Sequence, residues 1–92
     1  MRKLKSNKLN IFKEGHRKLE AVIKKDNMNA ELRFLRLIIQ ENAPGILGYK
    51  SDLKQDSELI KKSFTDLPQV VQQAIIDYSK KSKILNPSDF KE

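Results

Sequence analysis

The chain has 92 residues, 38% of them hydrophobic, with three glycines, three prolines and no cysteine. That is enough for one modest core, and it excludes disulfides, thiolate metal sites and cysteine nucleophiles. The net charge of +7 belongs to the first segment: residues 1–25 hold nine Lys/Arg against Glu14 and Glu20, whereas residues 26–92 hold ten of each sign.

A one-sided basic element can attract nucleic acid, an acidic protein or an anionic membrane surface, or it can be a solvated helix face. Met1-Arg2-Lys3-Leu4-Lys5 begins like the charged part of a signal peptide. Ser6-Asn7-Lys8 then stands where an apolar stretch is required. No apolar run exceeds three residues, as at Leu37-Ile38-Ile39, so no membrane span is expected. The expected location is cytoplasmic, which the absence of cysteine permits.

Residues 1–7 show no periodicity and read as a flexible basic N-terminus. From Leu9 onward, Phe12, Gly15/His16, Leu19 and Val22/Ile23 recur at spacings of three and four, predicting an amphipathic helix over about 8–25 with Phe12 in the core. Asp26-Asn27-Met28-Asn29 breaks it, and Asn29 suits the cap of a second helix over 30–42. Six of the eight residues from Leu32 to Ile39 are apolar, the exceptions being Arg33 and Arg36. Such a helix has little to give to water and should run through the middle of the fold. Leu35→Ala or Ile38→Ala should then cost about 2–5 kcal/mol.

Pro44 disfavours helical geometry at Ala43 and ends the second helix. The 43–50 segment still carries Ile46, Leu47 and Tyr49, which predicts an ordered loop packed over one end of the core. Ser51 or Asp52 suits the cap of a third helix over 52–64, with Leu53, Leu59, Ile60 and Phe64 facing inward. Thr65-Asp66-Leu67-Pro68 is a stop and restart, with Pro68 in the first turn of a fourth helix over 68–81. Its stripe is Leu67, Val70/Val71, Ala74/Ile75 and Tyr78, and Lys80, Lys81 and Lys83 suit its negative end. The domain is expected to span 8–85, with 86–92 a polar C-terminal tail. The fold class is therefore all-α, a compact four-helix bundle.

No reactive constellation is visible. His16 is the single histidine, and Glu20 four residues on does not complete a metal or catalytic set. Serines lack a nucleophile elbow, and Gly45 and Gly48 do not form a phosphate cradle. Asp52, Asp56 and Glu58 lack the glycine and terminal glutamate of a calcium loop and read as acidic residues opening a helix. No catalysis, metal or cofactor is expected.

The residues singled out for binding are Arg33, Arg36, Arg17, Lys18, Lys24 and Lys25. Arg33 and Arg36 lie on one side of the second helix. They either meet carboxylates such as Asp26, Glu31 or those of the third helix, or form an anion or partner site, for which the guanidinium fork is well suited. The four residues of the first helix are the nucleic-acid candidates, although Phe12 alone offers no stacking platform there.

Gly15, Leu19 and Val22, followed by Asp26-Asn27-Met28-Asn29-Ala30-Glu31, resemble the junction between two repeats of the tetratricopeptide type. They match its small-large-small second helix and its Asp-Pro-Asn-Asn-Ala-Glu turn. Asn27 replaces the proline, Arg36-Leu37 replaces Leu-Gly, and the match spans less than one repeat, residues 15–35. Arg33-Phe34-Leu35-Arg36 with Gln40, Asn42, Pro44 and Leu47-Gly48-Tyr49 also looks like small uncharacterised bacterial helical proteins. These resemblances imply a helical hairpin that binds partners along a groove, and no activity. A first helix emerging from a basic tail also fits a piece of a longer protein. The expected function is a non-catalytic protein-interaction module, taking an unknown protein or a second copy. The alternative is a nucleic-acid-binding accessory domain using residues 1–25.

Overall fold

The computed structural model describes the backbone of residues 3–43 and 50–90, with side chains from Asn10 onward. It is a four-helix bundle: α1 Lys3–Lys25, α2 Ala30–Asn42, α3 Leu53–Ser63 and α4 Gln69–Ser79, with 3-10 turns at Phe64–Asp66 and Pro87–Phe90. No strand occurs among the described residues, and no described helix is long and apolar enough to cross a membrane.

Local chemistry sets the helix ends. The Asn29 side chain accepts hydrogen bonds from the backbone N–H groups of Glu31 (3.0 Å) and Leu32 (3.1 Å), and its amide donates to Asp26 (2.9 Å). Two of the donors left open at the start of α2 are thereby satisfied. Ala43 is extended (φ −69°, ψ 149°), as a residue before proline must be. Pro68 is the cap of α4 rather than its first helical residue.

The first helix starts at Lys3, not at residue 8. Lys3 to Asn7 include no glycine or proline, so the missing periodicity did not mean a missing helix. The expected packing of the 43–50 loop falls mostly on residues 44–49, which lie outside the described residues; Ala43 at its start is buried.

The main core joins Phe34 and Leu37 of α2, Leu53 and Ile60 of α3, Phe64, Ile75 of α4, Leu85 and Phe90. The C-terminal stretch is therefore no polar tail: Phe90 packs its ring on Phe64, with centroids 4.8 Å apart, and the domain extends to it. The inward face of α2 is Ala30, Phe34 and Leu37, with Arg36 and Gln40 at its edge. Leu35 points the opposite way and is 50% exposed, which corrects its expected place in the core. Val70 is likewise exposed, Phe12 is only half-buried, and among the described side chains of α1 Ile23 is the buried one.

Candidate functional site

Two features stand out, one internal and one on the surface. The internal one begins with Asp56, which α3 presents to α2 with no exposed surface. A buried carboxylate must be paired and hydrogen-bonded to stay ionised. Arg36 supplies a two-pronged contact, Nε to Oδ2 at 2.9 Å and Nη2 to Oδ1 at 2.8 Å. Arg33 adds Nη1 to Oδ1 at 2.8 Å and sends its Nε to the Asn27 carbonyl, also at 2.8 Å.

Arg36 is itself only 6% exposed. Its remaining fork meets Glu20 of α1 at 2.8 and 3.0 Å, and Asp52 lies 3.7 Å away. The hydrogen bonds to Asp56, working against burial, and those to Glu20 push its pKa further up. One guanidinium thus joins α1, α2 and α3. Gln40 extends the cluster, donating to Asp52 at 3.2 Å and lying 3.2 Å from His16 Nε2, which is 3.3 Å from Glu20. With Nε2 unprotonated His16 accepts from Gln40; with it protonated it donates to Glu20.

These contacts decide where the predicted residues fall. Arg36 is enclosed by carboxylates of its own chain and is not open to an external anion. Arg33 shares Asp56 and keeps a partly exposed edge. Arg17, Lys18, Lys24 and Lys25 are exposed on α1 and are not brought together with the arginine pair. Arg17 holds Glu14 at 2.8 Å, and this hydrogen bond keeps the Glu14 carboxyl below its usual range. No group of three or more metal-ligating side chains converges among the described residues.

A second polar cluster, around Glu41, lines a cleft of about 550 Å³ between α2 and the end of α4. Glu41 accepts from Tyr78 Oη (2.9 Å), Ser82 Oγ (2.7 Å) and the Lys83 N–H (2.6 Å). Burial opposes its ionisation, but these hydrogen bonds prevail and hold the carboxyl below its ordinary value. Burial and the Glu41 contact push Tyr78 up to about 12. Near neutral pH the pair is a carboxylate and a neutral phenol, which ties the 80–84 segment to α2.

The surface feature is apolar. Gly15, Leu19 and Val22 of α1 face Leu35 and Ile39 of α2 across a shallow hollow of about 340 Å³, with Lys18 at its rim. Val22 is 48% exposed, and Ile11, one turn before Gly15, is 70% exposed. The sequence pattern placed Leu35 in the core and left Val22 and Ile23 as alternatives, of which Ile23 is the buried one. Of the third-helix carboxylates expected to meet Arg33 and Arg36, Asp56 is the one that pairs with both. Its burial was not legible, because an acidic residue in the first turn of a helix has a sufficient local reason.

No protein-family model, curated protein or solved structure matches the chain significantly.

Proposed function

We infer that the protein is a non-catalytic interaction module that binds another protein on the outer face of the α1–α2 hairpin. The observation that carries this reading is the exposed hollow of Gly15, Leu19, Val22, Leu35 and Ile39. Leu35 and Val22 stand half in water while the core proper is complete without them. An apolar hollow left outside the core supports a contact there. The polar clusters support the same reading, since Arg36, Asp56 and Glu41 direct their hydrogen bonds to the chain itself. The tetratricopeptide-like turn at 26–31 belongs with this reading, as does a cytoplasmic setting.

The test compares the parent chain with Leu35→Lys for retention of proteins from an extract of the source cells. The substitution should leave stability within about 0.5 kcal/mol, because the site is exposed. It should remove a specifically retained protein. Identical retention by both chains would overturn the reading.

The alternative is nucleic-acid binding through α1, favoured by the exposure of Arg17, Lys18, Lys24 and Lys25. It requires retardation of a DNA or RNA fragment, with affinity falling steeply as salt rises. Absence of binding at about 50 mM salt, where phosphate contacts are strong, would rule it out.

A further inference from the structure

Ile11, Gly15, Lys18, Val22 and Lys25 follow one another along α1 at alternating steps of four and three, which places them on a single stripe. The stripe lies beside the one that carries Phe12, Leu19 and Ile23 toward α2. It therefore continues the hollow lengthwise over the described part of α1.

Gly15 has no explanation among the described residues. A glycine in a helix interior weakens the helix relative to alanine. A methyl group added there would meet nothing within 4 Å among the described residues, so none of them demands the absent side chain. What the glycine leaves is a flat spot on the floor of the hollow. Small residues at such spots let the backbone of a second helix approach closely, and a four-three stripe is the pattern that helix-on-helix packing reads.

Charge selects the occupant. Lys18 and Lys25 are exposed on the stripe, and Arg17 and Lys24, also exposed, add positive charge on another flank of α1. Of the two described carboxylates of α1, Glu14 lies one turn before Lys18 and is held by Arg17, and Glu20 turns inward to Arg36. Glu31 is exposed at the opposite edge, at the start of α2. A second copy would set seven excess positive charges of residues 1–25 against seven more, which repel. A nucleic-acid backbone would place phosphates over Val22 and Leu35, which offer them no hydrogen bond.

We propose that this hollow receives an amphipathic helix of an acidic protein, with apolar side chains over Gly15, Val22 and Leu35 and carboxylates toward Lys18 and Lys25. The proposal rests on the interaction-module reading and names the class of its partner. It also gives the basic first helix a role: steering an acidic partner onto an apolar seat.

The test is selection from a displayed library of random peptides of ~18 residues, about five helical turns, against the full chain. Gly15→Leu and the double variant Val22→Lys/Leu35→Lys serve as counter-targets. Enriched peptides should be rich in Asp and Glu, carry apolar residues at steps of three and four, and bind more weakly as salt rises. Gly15→Leu should melt no lower than the parent and bind those peptides at least tenfold more weakly. Enriched peptides that are basic or uncharged, yet lost on Gly15→Leu, overturn the acidic partner and leave the module standing. Peptides that bind Gly15→Leu and the double variant as well as the parent overturn the site and the module together. A parent dimer in size-exclusion chromatography that Gly15→Leu dissociates shows that a second copy takes the seat, and overturns the proposal.

Discussion

At the scale of single residues, Asp56 carries the largest consequence. Two arginines converge on it in a place water does not reach. Asp56→Ala should cost about 3–5 kcal/mol in urea unfolding, because it strips the buried Arg36 of its two-pronged partner and leaves only Glu20 and the more distant Asp52. That figure measures the penalty of the unpaired charge, not the worth of the pair. The double variant Arg36→Met/Asp56→Leu should therefore be less destabilised than Asp56→Ala, an inverted sum that a double-mutant cycle detects directly. Glu41 and Tyr78 make stability depend on pH at opposite ends. The folded carboxyl of Glu41 lies below its unfolded value of 4.5, so its contribution is present above that pH and is lost as pH falls through the folded value. Tyr78 is raised from 10.0 to about 12, so its contribution is complete below pH 10 and is lost between about 10 and 12. Thermal melts should show both declines; Glu41→Gln should flatten the acid one and Tyr78→Phe the alkaline one.

At the scale of elements, α2 serves two sides. One face seats Phe34 and Leu37 in the core, and the other offers Leu35 and Ile39 to the hollow. Leu37→Ala should cost about 2–5 kcal/mol, since the side chain is fully buried and its removal leaves a cavity. Leu35→Ala should stay within about 0.5 kcal/mol. Chemical denaturation of the two variants separates a central helix from one with an open face. In α1, Gly15→Ala should stabilise the free chain by about 0.5–1 kcal/mol, as helix propensity improves without a clash. Helix ends were legible at this scale because their causes are local: Asn29 caps with its own side chain, and the prolines at 44 and 68 restrict the residues beside them. Facing was less legible. Periodicity locates an apolar stripe but does not say whether a neighbour covers it: Leu35 is exposed against expectation, and within the pairs Val22/Ile23 and Val70/Val71 only the structure selects Ile23 and Val71.

At the scale of the whole molecule, the chain closes its core with its own end. Leu85 and Phe90 return to Phe64 and Ile75, although the residues between them are polar. Phe90→Ala should cost about 3–5 kcal/mol, visible as a lower melting temperature. Closure also leaves α1 unevenly used. Its 23 residues outrun the 13 of α2, and only part of it is covered by the hairpin partner. Arg36 compensates for the thin apolar contact of α1 by reaching Glu20, so a polar group fastens this helix to the other two. The excess basic charge lies in the same segment of the chain, residues 1–25, that includes this helix.

The amino-acid sequence by itself determined that the protein is helical, where its helices break and that its positive charge lies at one end. Those properties follow from propensities, caps, prolines and counts, all of which act over a few residues. Tertiary structure alone decided that Arg36 is inside and Leu35 outside, that Asp56 is buried, and that Phe90 belongs to the core. Each depends on residues about 20 or more positions away in the chain. An arginine can be buried only where carboxylates from other helices meet it, and a leucine stays exposed only where no helix arrives.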